Sequence, residues 1–299
     1  MTASEQGFLL LTSNLGVPGR KVLTVPQLRT LAQRVERMSR RDSDAQLTQE
    51  DLLSLGYSRE MCRRILVLLE DGDLLAYYLQ RGKQAGCSAL SRISAGYPLQ
   101  LRKRLGLDSP GVLWAKGDLS ILDRPRISLV GSRQLRPENG EFARVVGIQA
   151  ARQGYVLVSG NARGADQTAQ NACLQAGGQV ISVVADALCQ HPHQENILYL
   201  SEQSFDEEFS PQRAISRNRV IHALGEKTFV AQSDYQTGGT WDGTVKNLRF
   251  GWSPVYCYED ASPAQRLLQD MGADAITMDA LKNIAGLAKP MAGLWEEKL

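Results

Sequence analysis

The sequence predicts an α/β fold in which a small helical domain precedes a doubly wound, mainly parallel sheet. Five short apolar runs between Arg126 and Asp260 each end at a loop of small and polar residues. Helical stretches such as ENGEFARVVGIQAARQG separate these runs, and apolar strands that alternate with helices are typical of a parallel sheet covered on both faces. The runs are RISLVG, YVLVSG, QVISVVA, KTFVAQS and PVYCYED.

Residues 25–90 show a helical periodicity instead. In VPQLRTLAQRVERM the apolar residues recur at three- and four-residue spacing, which is the stripe of an amphipathic helix. These residues are Leu28, Leu31, Val35 and Met38. A second helix is predicted to begin at Thr48, just ahead of two acidic residues, and to end at Gly56. SREMCRRILVLLEDGD and LLAYYLQRGKQAG continue the pattern, so we predict a small helical bundle.

This change of period divides the chain into three predicted segments. The 299 residues are enough for two domains with a sizeable core. We predict a helical domain over residues 1–90, a sheet domain over 91–281 and a short C-terminal tail over 282–299.

The composition is that of an ordinary globular protein, with 43% hydrophobic and 22% charged residues. The formal net charge is only +2, so a nucleic-acid-binding surface would have to be local. The five cysteines form no CxxC pair, which fits a reducing cytosol better than a zinc site or a disulfide framework. The opening residues lack the basic start of a signal peptide, and no run approaches the ~20 apolar residues that span a bilayer. We therefore expect a cytoplasmic protein without membrane contact.

The loops at the carboxyl ends of the predicted strands are where we expect a ligand. The first strand delivers Gly131, Ser132 and Arg133 into its loop. Glycine lets the backbone approach an anion, while the hydroxyl and the guanidinium can both bind phosphate. A tight turn with a solvated arginine explains the same residues, so this motif alone is weak evidence.

The loop SGNARGAD repeats this design at the next strand. Ser159 and Gly160 end the strand, and Arg163 lies between small residues. Gly164 precedes a helix whose N-terminus favours a phosphate. Asp166 at the cap competes for the same N–H groups, or hydrogen-bonds Arg163 or a sugar hydroxyl. A capped helix after a glycine turn is the simpler interpretation, but two such loops at adjacent strand ends favour a phosphate site.

A third basic element lies in FSPQRAISRNRVIHAL. Three arginines cluster there just before a predicted helix: Arg213, Arg217 and Arg219. A solvated run of charge is the ordinary interpretation. However, Asn218 between two arginines gives a polar face that can bind phosphate or the backbone of neighbouring loops.

SDYQTGGTWDGTVKNLRFGW is predicted to form another glycine-rich turn between a strand and a helix. Gly239 and Thr240 would lie against a ligand there, and Lys246 would reach a phosphate. Three nearby aromatic residues could stack on bases: Tyr235, Trp241 and Trp252. We assign Trp252 to the core and leave Trp241 open to either role.

The sequence carries no recognisable set of catalytic or metal-binding residues. HPHQEN places His191, His193 and Glu195 close together, but this spacing without a matching distant ligand is a weak metal signal. With only three histidines in the chain and no GxSxG, HExxH or Walker lysine motif, no nucleophile–base arrangement is evident. We predict a non-enzymatic protein without a metal or cofactor.

Taken in order, these segments resemble the DNA-processing protein A (DprA, or Smf) family. The motifs that carry the resemblance are VGSR (130–133), SGNARGAD (159–166), SRNRVIHAL (216–224) and TGGTWDGT (237–244). AGYPLQLRKRLGLDSPGVLWAKGDLSIL is similar to the segment that leads into them, and RLLQDMGADAITMDAL to the closing segment. The similarity covers about residues 90–281, and four ordered motifs are far more specific than any one of them.

The resemblance implies a Rossmann-like domain that binds single-stranded DNA through a positively charged pocket, usually as a homodimer. It also implies a role in DNA recombination and natural transformation, in which the DNA passes to a RecA-type recombinase. In the family, the arginine of VGSR and a basic residue of the second motif contact phosphates, which places Arg133 and Arg163 in that role. A helical front end of the sterile-alpha-motif-like kind occurs in some members.

The chain departs from the family pattern in three motifs. GADQTAQNA replaces an isoleucine and a histidine-bearing helix, FSPQRAISRNR has extra residues before RNR, and TGGTWDGTVKNL is longer and more polar than the family turn. After Leu281 only 18 residues follow, fewer than the winged helix of longer members needs. These departures bear on the transformation role and the recombinase partnership more than on the fold.

A nucleotide-sensing protein with a similar fold, as in bacterial defence systems, is the alternative function. An enzymatic relative of the cytokinin-activating phosphoribohydrolases is disfavoured, because Asn247 stands where their GGxGTxxE motif has its glutamate. An amide cannot act as the carboxylate that such hydrolysis needs. A pure interaction scaffold would leave the arginine-containing loops unexplained.

Overall fold

The computed structural model describes residues 1–38 and 47–288, within which the chain forms helices around one large sheet. The helices are α1 (Ala3–Thr12), α2 (Val25–Glu36), α3 (Gln49–Ser54), α4 (Arg59–Glu70), α5 (Gly72–Gln84), α6 (Leu99–Leu105), α7 (Pro137–Arg152), α8 (Ala165–Gln175), α9 (Pro211–Ser216), α10 (Asn218–Leu224), α11 (Gly238–Phe250) and α12 (Pro263–Asp270). The strands are β1 (Ser88–Ser91), β2 (Val112–Lys116), β3 (Arg126–Val130), β4 (Val156–Ser159), β5 (Val180–Val183), β6 (Ile197–Ser201), β7 (Thr228–Val230), β8 (Val255–Tyr258) and β9 (Asp274–Ile276). None of these helices is long and apolar enough to cross a membrane.

The sheet has the order β1-β2-β6-β5-β4-β3-β7-β8-β9. The strands from β6 to β9 in this order are parallel, whereas β2 runs antiparallel to both β1 and β6. The five predicted apolar runs are β3, β4, β5, β7 and β8, so the predicted doubly wound, mainly parallel sheet is confirmed. The order reverses at β3, because β4 pairs on one side of it and β7 on the other.

Alternate residues of the central strands pack on opposite faces of the sheet, as the two-residue period of a strand requires. Ile127 and Leu129 lie in one apolar cluster with residues of α7 and α8. Val130 lies in the other cluster with residues of α6, α10 and α12. The sheet is thus covered by helices on both faces, which leaves its strand ends as the open edge.

The front helices form as predicted and add a cluster of their own. Leu28 and Leu31 of α2 are buried against α3 and α4, Val35 is half-buried, and Met38 lies beyond the end of the helix. Thr48 caps α3 through a reciprocal contact with Asp51. The chain also forms α1, which the sequence patterns did not predict.

The front helices and the sheet share part of their core. Leu9 and Leu10 of α1 and Tyr78 of α5 belong to the same apolar cluster as the α7 face of the sheet. The predicted boundary at residue 90 falls inside β1, which pairs with β2. The division into three segments stays a prediction. Within the predicted tail, Ile284 is fully buried, and residues 289–299 lie outside the described part of the chain.

Candidate nucleic-acid interface

A cleft opens at the carboxyl ends of β3, β4 and β7, where the strand order reverses. Ligands of open α/β sheets bind at such switch points. The cleft has two adjoining lobes of ≈ 230 Å³ and ≈ 520 Å³. The side chains or backbone that line both lobes belong to Arg133, Ala162, Phe209, Ala214 and Arg217.

Two exposed arginines stand at this cleft. Arg133, from the loop after β3, lines both lobes, and Arg163, from the loop after β4, lines the smaller one. Neither guanidinium has a hydrogen bond or an ion pair with any residue among 1–38 and 47–288. Both positive charges are therefore available to an anion in the cleft.

A third arginine, Arg217, forms the floor of the cleft. It is only 7% exposed, and its Nη2 donates to the carbonyl oxygen of Gly160 at 3.0 Å. Its guanidinium lies flat against Gly160, where an added Cβ would come within 1.5 Å of Nη1. Burial lowers the pKa of Arg217, and the nearby Asp166 carboxylate opposes that shift. The Nε of Arg217 is buried without a partner in the described structure.

Asp166 lines the larger lobe and also ties the second loop together. Its Oδ2 accepts hydrogen bonds from the backbone N–H groups of Gly160 (3.1 Å) and Ala162 (3.3 Å), and lies 4.0 Å from Nη2 of Arg217. Burial raises the pKa of Asp166, and Arg217 is the main opposing influence. The structure thus gives Asp166 a partner other than Arg163 or a sugar.

The predicted phosphate site at the start of α8 is filled by protein groups. Gly164 precedes this helix with φ +78°, and an added Cβ there would lie 2.5 Å from the carbonyl oxygen of Ser132. That same oxygen accepts from the N–H of Ala165 at 3.2 Å. Gly164 therefore allows two loops to pack together, and it does not line the cleft.

The start of α11, unlike that of α8, lies at the cleft. TGGTWDGT was predicted as a turn, but the helix begins at Gly238 and includes Gly239 and Thr240, which line the larger lobe. The side chain of Thr237, which precedes the helix, makes no capping hydrogen bond, and Asn218 Nδ2 donates to the carbonyl oxygen of Gly239 at 3.0 Å. A helix N-terminus offers N–H groups without intrahelical partners and a partial positive charge, both of which favour an anion.

Three other predicted site residues lie away from the cleft. Ser159 is fully buried, and its hydroxyl accepts from Gln170 Nε2 at 2.6 Å. The Nη2 of Arg219 lies 2.7 Å from Oε2 of Glu202. Lys246, on the third turn of α11, forms an ion pair with Asp242 one turn earlier. Arg219 and Lys246 line a separate cavity instead. Gly131 and Ser132 do line the cleft, and Ser132 Oγ accepts from the N–H of Gln134.

The apolar contribution to the cleft comes from residues that the sequence analysis missed. Phe209 is 54% exposed and lines both lobes, and Ile215 is 48% exposed beside the larger one. A lone phenylalanine in the polar stretch DEEFSP was the available signal. Trp252 is buried, as predicted, Trp241 is half-buried, and Tyr235 is exposed but does not line the cleft.

Residues 88–247 match the family model described as DNA recombination-mediator protein A. The chain belongs to this family.

Curated members of the family show the same similarity. The chain is 30% identical over 168 residues to DNA processing protein DprA of Bacillus subtilis, which covers 52% of this chain and 56% of that protein. It is 32% identical over 141 residues to DprA of Streptococcus pneumoniae, covering 44% of this chain and 50% of that protein. The match thus spans about half the length of these relatives.

Solved structures of DprA proteins have the same fold. The X-ray structure of the S. pneumoniae protein superposes with a TM-score of 0.73 and 23% identity, covering 96% of this chain and 99% of that one. A structure of the Helicobacter pylori protein gives a TM-score of 0.55 with 21% identity, covering 67% and 95%.

In this DprA-family chain, Asn247 is part of the core. Its Nδ2 donates to Nδ1 of His222 (3.1 Å) and to the Ser253 hydroxyl (3.0 Å), and its Oδ1 accepts from the Ser253 N–H (2.8 Å). Asn247 is fully buried and does not line the cleft.

In the structure, His191 of HPHQEN makes contacts with neighbouring side chains. His191 pairs with Asp186 at 2.9 Å and stacks on Tyr199. In the described ranges no group of three or more His, Cys, Asp or Glu side chains is placed to hold a metal ion.

We expect the buried His222 to make the folded state sensitive to acid. Burial, with a smaller contribution from the charge of Arg217, lowers the pKa of His222 from 6.5 to about 3. Between pH 6.5 and about 3, His222 is therefore protonated in the unfolded chain but neutral in the folded chain. The contribution of neutral His222 to the free energy of unfolding is fully present above pH 6.5. It falls by up to about 1.4 kcal/mol per pH unit as the pH decreases from 6.5 to 3. Urea unfolding between pH 7.5 and 4.5 measures this loss.

The His222→Gln variant, which has no ionisable group at this position, is the control. Its stability should fall less steeply with pH than that of the unmodified protein. Equal slopes in the two proteins would contradict a neutral, buried His222.

Proposed function

We propose that this chain binds single-stranded DNA in the cleft and acts as a DNA recombination mediator. The observation that carries the proposal is the pair of unpaired, exposed guanidinium groups of Arg133 and Arg163 beside the buried Arg217. Phosphates supply most of the affinity in non-specific nucleic-acid binding, and arginine binds them with two parallel hydrogen bonds.

The rest of the cleft suits a strand without a base-paired partner. The N-terminus of α11 presents backbone N–H groups to a second phosphate near Gly239 and Thr240. Phe209 offers an exposed ring on which any unpaired base can stack, whether purine or pyrimidine. Bases in a duplex are already stacked on one another, so Phe209 favours single strands.

The relatives support the same ligand. The H. pylori protein is described as having a single-stranded DNA binding mode, and the family is described as recombination mediators. From the family resemblance given above, we also propose that the chain forms a homodimer and passes its DNA to a RecA-type recombinase. Light scattering of the purified protein and strand exchange with a recombinase present test these two proposals separately.

Binding without catalysis is supported by the place of Asn247. A hydrolase of this fold would need a carboxylate there, exposed to the ligand, whereas Asn247 holds His222 and Ser253 inside the core.

Fluorescence anisotropy of labelled oligo-dT over a salt series tests the proposed ligand. The observed binding constant should fall linearly with salt on a double-logarithmic plot. Arg133→Ala and Arg163→Ala should each reduce the slope by about 0.7, since one fewer phosphate is neutralised on a single strand. Each should weaken binding by roughly tenfold at moderate salt.

Arg152→Ala is the matched control, because this exposed arginine lies on the last turn of α7, away from the cleft. It should leave both the slope and the affinity unchanged. Tight binding of a mononucleotide or cyclic dinucleotide, with no affinity for oligo-dT, would replace the proposal with nucleotide sensing. Duplex binding as strong as single-strand binding would contradict it as well.

A further inference from the structure

The segment from Glu202 to Ser210 joins β6 to α9 and brings Phe209 to the cleft; we call it the β6–α9 loop. Phe209 is 54% exposed, so its own packing covers less than half of its surface. Its position therefore depends on how the rest of the loop is held. The contacts that hold the loop come largely from the front helices.

Polar contacts from α5 fix the middle of the loop. The buried Tyr78 hydroxyl donates to Ser204 Oγ at 2.5 Å, and Ser204 Oγ donates in turn to Asp206 Oδ1 at 2.5 Å. The Nη2 of Arg81 donates to the other Asp206 oxygen, Oδ2, at 2.8 Å. These three contacts form one continuous chain from α5 to the loop.

Apolar packing reinforces this attachment. Phe205 is 2% exposed, and the centroid of its ring lies 5.1 Å from the ring centroid of Tyr78 and 4.7 Å from that of Trp114. Gly82 lets α5 approach the sheet closely, since an added Cβ would lie 2.4 Å from Cζ3 of Trp114. The loop is thus wedged between the front helices and β2.

The end of the loop nearest Phe209 is held from two sides. Asn14, just after α1, donates to Glu207 Oε1 at 3.1 Å. From the other side, Arg213 Nη1 donates to the carbonyl oxygens of Glu207 (2.5 Å) and Glu208 (2.6 Å). The backbone is therefore fixed up to the residue before Phe209.

We propose that Tyr78, Arg81 and Asn14 are positioning residues for DNA binding: through the β6–α9 loop, the front helices hold Phe209 at the cleft. The inference rests on the proposed function of the cleft and adds a role for the helical front end. A side chain that is already ordered loses less conformational entropy when a base stacks on it, so holding the loop raises affinity without any contact to DNA.

A double-mutant cycle between Arg81 and Phe209 tests the proposal. Arg81→Ala should weaken oligo-dT binding by about threefold to tenfold. The salt slope should not change, because no phosphate contact is lost. In the Phe209→Ala background the same Arg81 substitution should have no further effect. Tyr78→Phe, which removes only the hydroxyl, should reproduce part of the Arg81 effect.

Arg144→Ala is the matched control. Arg144 is 50% exposed and pairs with Glu141 on α7, as Arg81, 42% exposed, pairs with Asp206. Removing the Arg144 side chain should not alter the affinity for oligo-dT. Because Arg81 is partly exposed, the variant should fold, and its thermal midpoint checks this.

Hydrogen exchange of the DNA-free protein gives a readout that does not depend on the cleft binding DNA. Residues 202–210 should exchange faster in Arg81→Ala than in the unmodified protein, with β3 and β4 unchanged. If the unmodified protein binds no oligo-dT, the proposed function fails whatever the loop does. If it binds and Arg81→Ala binds equally well, or if the Arg81 effect persists in full without Phe209, the positioning role is wrong.

Discussion

Replacing Asp166 by alanine is expected to destabilise the folded protein by about 3–5 kcal/mol and to remove most of its affinity for oligo-dT. Asp166 is the carboxylate nearest to Arg217, and both groups are almost fully buried. Removing one partner of a buried ion pair leaves the other charge uncompensated, which costs this much free energy. The two N–H groups of Gly160 and Ala162 lose their acceptor as well.

The loss of binding follows from the shape of the second loop. The Asp166 carboxylate holds the backbone of Gly160 and Ala162, and the next residue, Arg163, carries one of the two unpaired cations of the cleft. Without the carboxylate, the hydrogen bonds that tie the N–H groups of Gly160 and Ala162 to α8 are lost. Urea unfolding gives the stability, and anisotropy at a temperature where the variant is folded gives the affinity.

Two further variants separate the charge of Asp166 from its hydrogen bonds. Asp166→Asn keeps an acceptor for the two N–H groups but removes the charge, so its stability should lie between those of the unmodified protein and Asp166→Ala. Adding Arg217→Met to Asp166→Ala removes the unpaired cation and should recover part of the lost stability without restoring DNA binding. If Asp166→Ala proves as stable as the unmodified protein, the buried pair does not have the role assigned to it.

Five strands of the central sheet were predictable because each is an apolar run bounded by polar loops. β3, β4, β5, β7 and β8 lie in the interior of the sheet order and are almost entirely buried. β9, by contrast, has three residues and lies at an edge, while β1 and β2 form an antiparallel extension. Such strands are specified by the partner they pair with more than by their own periodicity.

The cleft was predictable to the extent that it is built by single loops. Arg133 and Arg163 follow directly from the loops that end β3 and β4. Arg217 and Arg219 could not be told apart in sequence, but Arg217 lies at the junction between α9 and α10, whereas Arg219 lies in the first turn of α10. Arg217 therefore reaches the cleft while Arg219 pairs with Glu202. Phe209 was missed because its place depends on contacts between distant segments.

Replacing Gly160 by alanine is expected to displace Arg217 and to impair the cleft while leaving the fold intact. The added Cβ would lie 1.5 Å from Nη1, 2.0 Å from Cζ and 2.1 Å from Nη2 of Arg217. The guanidinium must therefore move, and it loses its hydrogen bond to the Gly160 carbonyl oxygen. Overpacking of this kind costs about 1–3 kcal/mol of folding free energy.

Gly72→Ala is the control for this substitution. Gly72 begins α5, and apart from its chain neighbours and its own helix backbone no atom of the described residues lies within 4 Å of an added Cβ there, so its replacement should keep stability and binding unchanged. For Gly160→Ala, oligo-dT affinity should fall at least as far as for Arg133→Ala, because moving Arg217 disturbs the floor that both lobes share. Affinity equal to that of the unmodified protein would mean that phosphate binding needs only the exposed arginines. Glycine would then be required at position 160 only because the Arg217 side chain packs against it.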